Sequence, residues 1–167
     1  MHLRDVRLDD VEAYVRMRCD PVMMSELGGP QPRAGIEAKV ASDVAQVAAG
    51  TAWICMVVPG DDEAEVAGSV VIWDSEHDGA TVAEVGWMVL QEHQGQGLAK
   101  AAVRLLLDRN QVERRWGPIH AFPGVTNAAS NALCRSLGFS SRGEEGIEFA
   151  GGVFRCNHWV LEQPAPG

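Results

Sequence analysis

Apolar and polar residues alternate along this chain with two periods, one typical of strands and one typical of helices with a single apolar face. Alternating stretches and short apolar runs predict strands, whereas apolar residues spaced three and four positions apart predict helices. The predicted order is a strand at 2–7, helices at 9–18 and 34–49, strands at 53–58, 66–74 and 82–90, a helix at 98–113, a strand at 119–122, a helix from 127, and strands at 139–142 and 153–161, with 143–152 unassigned. This order predicts an α/β (α+β) domain in which helices flank a mixed sheet.

Three local signals predict where helices begin and end. Asp9 and Glu12 have the spacing of a capping box at the start of the first helix. Asn127 is a good N-cap, because its side-chain oxygen can accept a hydrogen bond from an N–H group of the first turn. Gly138 stands where a helix is expected to end in the left-handed conformation.

A glycine-containing turn at 94–99, Gln-Gly-Gln-Gly-Leu-Ala, joins the predicted strand 82–90 to the helix 98–113. Such a turn leaves N–H groups free at the positive end of the helix dipole, where phosphate groups bind. Gly95 and Gly97 allow unusual backbone angles and a close approach of a ligand. No Walker A string occurs, and Lys100 stands where a dinucleotide fingerprint needs its third glycine. The sequence therefore predicts a phosphate site of another kind.

Two segments resemble motifs of the GNAT superfamily, the acyl-CoA-dependent N-acyltransferases. Gln94, Gly97 and Ala99 fit its pyrophosphate loop, and the segment from Asn127 to Phe139 is similar to its later motif of Asn-x-x-Ser/Ala, an apolar helix and Leu-Gly-Phe. The resemblance implies a mostly antiparallel central sheet, about four helices, and strands that splay apart at the acyl-CoA site. It implies a single domain over 1–162, followed by a frayed tail at 163–167.

The resemblance is to the branch that acetylates protein N-termini and small amines. It implies an N-acetyltransferase that moves an acetyl group from acetyl-CoA to a primary amine by direct attack in a ternary complex, without a metal. The alternative is an acyl-CoA-binding sensor module with little or no transferase activity. Turnover with an amine distinguishes the two.

The same resemblance implies where the cofactor binds. Pyrophosphate is expected on the backbone N–H groups of the loop, and the pantetheine arm is expected to pair with a strand edge. Asn127 is expected to contact the cofactor in addition to capping its helix, with Ser130 as a weaker candidate. The expected cofactor-binding residues are Trp87, Met88, Val89, Gln94, Gly95, Gln96, Gly97, Leu98, Ala99, Lys100, Asn127 and Ser130.

Glu84, on the predicted central strand, is the candidate general base. A bulge near Gly86 is expected to open this strand, since glycine in a strand often marks a bulge. By count, the matching position of the family falls on Ala83, so a one-residue bulge is needed to restore the register of Glu84. The alternative is a half-buried glutamate paired with a helix arginine.

Cys134 is the candidate general acid. It stands seven residues after Asn127, where many members of the family have a tyrosine that protonates the departing thiolate, and the only tyrosine of this chain is Tyr14. A thiol can donate that proton. The alternative is a small apolar core residue, in which case water serves.

The sequence does not identify the acceptor amine, the oligomeric state or the preferred acyl length. Acidic residues near the predicted loops can hold an ammonium group or can simply be solvated, and His120 and His158 are interpreted as structural. These acidic residues are Asp20, Glu26, Glu144, Glu145 and Glu148.

Composition narrows the function classes. The net charge of −9 argues against nucleic-acid binding, and no apolar run is long enough for a membrane span. Four scattered cysteines without a Cys-x-x-Cys pair predict free thiols in the cytoplasm and no zinc site. The five tryptophans leave room for an aromatic homodimer interface.

Overall fold

Residues 1–149 and 151–163, which this computed structural model describes, form a seven-stranded sheet with helices on both faces. The helices are α1 (Val11–Arg18), α2 (Ile36–Ala48), α3 (Leu98–Glu113) and α4 (Ala128–Ser136), with a short 3₁₀ helix at Gln91–His93. The strands are β1 (His2–Asp5), β2 (Ala52–Val58), β3 (Gly68–His77), β4 (Ala80–Val89), β5 (Ile119–Ala121), β6 (Ser140–Phe149) and β7 (Gly152–Leu161).

The strand order is β1-β2-β3-β4-β5-β7-β6. The pair β4–β5 is parallel, and all other neighbours are antiparallel. The predicted mixed, mostly antiparallel sheet is therefore confirmed. The parallel pair requires a crossover, and α3 provides it.

Two hydrophobic clusters occupy the two faces of this sheet. On one face, α3 and α4 pack against strands from both halves of the sheet through residues such as Val103, Leu106 and Leu137. On the other face, α1 and α2 pack against β2, β3 and β4 through residues such as Met17, Ile36 and Val40. The cluster under α1 and α2 includes no described residue of β5, β6 or β7. That half of the second face is the place where polar side chains gather.

The start of α1 differs from the predicted capping box. Asp10 is the N-cap residue, and its side chain makes no cap hydrogen bond to the helix. Its carboxylate instead accepts two bonds from the Arg4 guanidinium, at 2.8 and 2.6 Å, and one from the Arg7 backbone N–H at 2.7 Å. The predicted capping box of Asp9 and Glu12 is therefore wrong. The N-cap residue is Asp10, and its carboxylate links the helix to β1.

Residues 143–149 and 152 of the unassigned segment 143–152 belong to two paired strands. β6 continues to Phe149 and pairs with β7 from Gly152, with a register shift between Ser141 and Gly143. Glycine and glutamate are poor strand formers, so this composition hides the strands, which form because each pairs with the other. Of the expected tail at 163–167, residues 164–167 lie outside the described residues, and the first residue, Gln163, is buried.

No helix in the described part of the chain has both the length and the apolar character needed to cross a membrane.

The Arg4–Asp10 pair is expected to be a principal link between β1 and α1. Both side chains are nearly buried, at 8% and 4% exposure, so Asp10→Ala leaves a largely buried guanidinium without its main partner. The expected loss is about 3 kcal/mol of unfolding free energy, measured by urea titration. Asp9→Ala, at an exposed neighbouring position, is the matched control and should change stability by less than about 0.5 kcal/mol. A loss of about 1 kcal/mol in the Asp9 variant, with none in the Asp10 variant, would restore the capping box.

Candidate active site

The loop between β4 and α3 presents bare backbone to solvent. Gly95 and Gly97 have φ angles of 74° and 77°, and a Cβ at either position would meet nothing within 4 Å. Gly97 is the N-cap of α3 and has no side chain to cap it. The first N–H groups of a helix have no acceptor within the helix, so those of Leu98, Ala99 and Lys100 are available to an anion. The structure thus combines positive φ angles, open space and a helix N-terminus.

Two glutamine side chains fold back and fix this loop. The Gln94 amide donates to the Val89 carbonyl oxygen at 2.9 Å, and the Gln96 amide donates to the Glu92 carbonyl oxygen at 3.1 Å. Both bonds tie the loop to the chain that precedes it. The backbone N–H groups, rather than the glutamine side chains, therefore form the exposed donor set.

β4 and β5 separate immediately next to this loop. Their pairing is limited to Ala83↔Ile119 and Glu84↔His120. Beyond that point the chain after β5 follows β7 instead, through the Asn157 N–H to the Pro123 carbonyl oxygen at 2.9 Å and the Gly124↔Cys156 bridge. The part of β4 from 85 to 89 is consequently paired only with β3. This is the splay that the resemblance implies.

The bulge predicted near Gly86 is absent from the β3–β4 ladder. The register runs without interruption from Gly68↔Val89 to His77↔Ala80. Gly86 has another role, since a Cβ there would lie 3.2 Å from a ring carbon of Trp73 on β3. A side chain at position 86 would crowd the Trp73 ring, which lies across β4. The strands splay because β5 stops pairing with β4 after two residue pairs.

The far wall of the gap is the N-terminus of α4. The Asn127 Oδ1 accepts from the Ser130 N–H at 3.0 Å, which confirms the predicted N-cap and leaves the Asn127 Nδ2 as the group that can reach a ligand. The Trp87 indole N–H donates to the Ser130 Oγ at 3.3 Å, so it links β4 to α4. Gly138 has the expected left-handed conformation, with a φ of 88°.

Asn131 is a structural residue whose importance the sequence did not reveal. Its side chain is buried; Nδ2 donates to the carbonyl oxygens of Gly124 and Asn127 at 2.9 and 2.8 Å, and Oδ1 accepts from Asn157 Nδ2 and Trp159 Nε1, both at 2.9 Å. All four bonds of one amide fix the start of α4 to the chain after β5 and to β7. An asparagine one turn after an N-cap asparagine was the available signal.

The one-residue bulge that the count from the family requires is absent, so Glu84 keeps the register of the uninterrupted β3–β4 ladder and points to the face of α1 and α2. Successive side chains alternate between faces, and Ala83 and Val85 belong to the cluster under α3 and α4, so Glu84 lies on the opposite side with its partner Trp73. Burial raises the pKa of Glu84 above its ordinary value, and the Ser75 hydroxyl and the His77 ring partly oppose that rise. A carboxylate with a raised pKa takes up a proton more readily, as a general base must.

A group of polar and aromatic side chains shares this uncovered face; we call it the histidine cluster. Phe122 and His120 both stack on His158, at centroid distances of 4.7 and 5.1 Å. The Nδ1 of His120 lies 2.8 Å from the Nε2 of His158. The cluster consists of His77, His120, Phe122, Glu145 and His158.

Cys134 and Tyr14 are both buried. The Cys134 side chain has no exposed surface, and burial raises its pKa to about 12. Tyr14 donates a 2.7 Å hydrogen bond to Asp43, and burial with that bond raises its pKa. Both environments oppose ionisation, and both side chains belong to the hydrophobic clusters.

Most of the acidic residues that were candidates for an ammonium site have protein partners. Asp20 caps the turn at Val22 and Met23, Glu26 accepts from the Thr126 hydroxyl at 2.7 Å, and Glu144 pairs with Arg155. Glu148 lies on the exposed part of β6. Glu145 belongs to the histidine cluster.

Comparison with known proteins gives one family. The family model of the acetyltransferase (GNAT) domain matches residues 1–140 of the chain. Among curated proteins, none matches the chain at a significant level.

Solved structures share this fold at low sequence identity. The ribosomal-protein-S5-alanine acetyltransferase of Vibrio fischeri is 17% identical, with a TM-score of 0.79 over 99% of this chain and 94% of that one. A Salmonella typhimurium acetyltransferase that modifies the N-terminal serine of the 50S ribosomal subunit protein L7/L12 is 17% identical, with a TM-score of 0.76 over 96% and 93%. A Salmonella typhimurium protein solved with its cofactor acetyl-CoA is 21% identical, with a TM-score of 0.75 over 97% and 93%.

Truncation of the Asn131 amide is expected to destabilise the wall of the gap. Asn131→Ala leaves the Trp159 indole N–H and the Gly124 carbonyl without their partner, and each buried orphan costs about 1–3 kcal/mol. The expected loss is about 3 kcal/mol of unfolding free energy, measured in urea. Ser136→Ala, at an exposed position of the same helix, is the control and should be close to neutral. Equal stability of the two variants would contradict the role given to the Asn131 network.

Proposed function

The chain belongs to the GNAT family and is an acyl-CoA-dependent acetyltransferase, and we propose that it transfers an acetyl group from acetyl-CoA to a primary amine by direct attack in a ternary complex. The observation that carries this proposal is the gap between β4 and β5, which opens beside an uncapped, glycine-containing helix N-terminus. The gap offers an unpaired strand edge to the amide-rich pantetheine arm, and the helix N-terminus offers N–H donors to the pyrophosphate.

In this proposal the cofactor follows the gap from the loop toward the sheet. The diphosphate lies on the N–H groups of residues 94–100, and the pantetheine arm pairs with Trp87, Met88 and Val89. The Asn127 Nδ2 contacts the cofactor from α4, because its Oδ1 is already engaged by the Ser130 N–H. Ser130 acts through Trp87, whose indole it holds.

The amine approaches from the face that carries Glu84. Glu84 takes a proton from the ammonium form of the acceptor, either directly or through water, and the freed lone pair attacks the thioester carbonyl carbon. A tetrahedral intermediate forms, its nitrogen loses a second proton to solvent, and its collapse breaks the C–S bond, so that the amide is released and coenzyme A leaves as its thiolate. A backbone N–H at or near Val89 stabilises the oxyanion in this scheme.

Solvent protonates the departing thiolate in this scheme. Cys134 is fully buried with a pKa raised to about 12, which supports a packing role for this residue. Tyr14 is occupied by Asp43 on the α1–α2 side. The coenzyme A thiol has an ordinary thiol pKa near 8.5, so its thiolate is a fair leaving group without a dedicated acid.

The acceptor is proposed to be a protein N-terminus or a small-molecule amine. Two proteins of similar structure are acetyltransferases of ribosomal proteins, and this shared fold supports a protein N-terminus as the acceptor. The Glu84 carboxylate, on the face of the sheet from which the amine approaches, favours a cationic substrate of either class. A panel of peptides and small amines, read by thiol release, distinguishes the two. Binding of acetyl-CoA without turnover of any amine would favour the sensor alternative.

Gly97 is expected to be essential for cofactor binding. Gly97→Val places a branched side chain at the helix N-cap, where the diphosphate must approach, and forces a positive φ that valine resists. We expect acetyl-CoA affinity to fall by at least tenfold, measured by calorimetric titration. Gly79→Val is the matched control, because Gly79 has a φ of 75° and equally open surroundings in the β3–β4 turn. Equal affinities of the two variants would argue against this phosphate site.

Glu84→Gln is expected to lower kcat while leaving acetyl-CoA affinity unchanged. A general base contributes about 10²–10⁴ in rate, and the deficit should shrink as pH rises toward the amine's own pKa, where free amine no longer needs a base. Glu76→Gln, on the exposed face of β3, is the control. A rate equal to that of the parent across the pH range would remove Glu84 from the mechanism.

Stability provides an independent check on the Glu84 variant. The pKa of Glu84 is raised in the folded protein, so its ionised form is destabilised by folding and lowers the unfolding free energy once the pH exceeds that pKa. Neighbouring titratable groups on this face are His77, His120 and Cys156. The neutral glutamine removes this cost. At pH 7 the unfolding free energy of Glu84→Gln should therefore be at least equal to that of the parent.

A further inference from the structure

Three side chains from three different strands converge at the outer end of the histidine cluster. His77 ends β3, Glu145 lies in the middle of β6, and His158 lies near the end of β7. One ligand atom from each residue lies within 4.8 Å of the others. The side chains are largely shielded, with exposures of 13%, 26% and 14%. Two imidazoles and one carboxylate form a donor set that Zn²⁺ uses in proteins.

The distances between these atoms suit a tetrahedral ion. Zinc–ligand bonds of about 2.0–2.2 Å place neighbouring ligand atoms about 3.3 Å apart in a tetrahedron. The His77 Nε2 lies 3.4 Å from the Glu145 Oε2, and the His158 Nδ1 lies 3.1 Å from the Glu145 Oε1. These two contacts end on different oxygens of the Glu145 carboxylate, and one ligand atom from each residue lies within 4.8 Å of the others, so a small closure of the side chains brings all three into tetrahedral range.

His158 is oriented by its neighbour His120. The His158 Nε2 lies 2.8 Å from the His120 Nδ1, so one of these two nitrogens carries the proton of that bond. When the proton is on His158 Nε2, the Nδ1 of the same ring has a free lone pair, directed toward Glu145. Metal-binding histidines typically donate their second N–H to such a partner, which fixes the tautomer.

Glu145 provides a second, independent observation. Its Oε1 is shielded from solvent and has no hydrogen-bond partner among the described residues, although the His158 Nδ1 is only 3.1 Å away. When the proton is on His158 Nε2, the lone pairs of His158 Nδ1 and Glu145 Oε1 face the same small volume and repel each other unless a cation lies between them. A divalent cation satisfies both atoms and the His77 Nε2 at the same time.

We propose that His77, Glu145 and His158 form a binding site for a zinc ion, with water in the fourth position and His120 as the positioning residue of His158. The ion binds the β6–β7 hairpin to the end of β3, on the same face as Glu84. The site is distinct from the phosphate loop and independent of the proposed acetyl transfer. It revises the sequence expectation of no metal site, which rested on the cysteine pattern.

The test is calorimetric titration of Zn²⁺ into the chelator-treated, full-length protein. One site is expected, with affinity at least tenfold weaker in His77→Gln, His158→Gln and Glu145→Gln, and about tenfold weaker in His120→Ala. Controls are His93→Gln, outside the cluster, and Glu144→Gln, the neighbouring carboxylate that pairs with Arg155. Co²⁺ in place of Zn²⁺ should give the visible absorption of tetrahedral coordination, and this absorption should disappear in Glu145→Gln.

A destabilised variant can still be tested by thermal unfolding, because the Tm of each variant is compared with and without zinc. Zinc should raise the Tm of the parent and both control variants, and the shift should be lost in Glu145→Gln, which preserves the shape of the side chain. Two results overturn the proposal: no binding at Zn²⁺ concentrations well above that of the protein, or binding that the three ligand variants leave unchanged. The cluster would then be a metal-free ion pair between a glutamate and protonated histidine. None of these readouts requires acetyl transfer.

Discussion

The departure of β5 from β4 is the constraint on which the rest of the site depends. A sheet saturates its backbone groups by continuous pairing, and here that pairing stops after two residue pairs because the chain beyond β5 bonds to β7. Pro123 lies at this point, where a residue without an N–H cannot extend a ladder on its donor side. The resulting gap exposes one edge of a central strand, which a sheet normally buries.

The gap persists because polar contacts stabilise its walls. The Asn131 amide makes four hydrogen bonds that fix α4 to the strands beyond the gap, and the Trp87–Ser130 bond links α4 back to β4. Buried amides of this kind are costly when unsatisfied, so a fully bonded one specifies a single arrangement. The opening therefore has defined walls at both sides, even though the strands that border it do not pair.

The period of two along β4 gives the two faces of the sheet different chemistry. Trp87 and Val85 point toward α3 and α4, while Glu84 and Met88 point toward α1 and α2. The helix N-terminus that suits an anion and the carboxylates that suit a cation thus lie on different sides of one strand. The helices α1 and α2 cover only β2, β3 and β4 on the second face, so no helix covers the histidine cluster, although neighbouring side chains largely shield it from solvent.

The sequence by itself determined the features that depend on near neighbours. The limits of α3, the Asn127 cap, the positive φ of Gly138 and the open loop at Gly95 and Gly97 follow from side-chain and backbone chemistry within a few residues. The tertiary structure decided the rest. It paired Asp10 with Arg4, kept β4 free of a bulge at Gly86, extended β6 through 143–149, and brought His77, Glu145 and His158 together. These outcomes depend on strand register and on contacts between distant residues, because those contacts bring together chemistry that no local period or motif records.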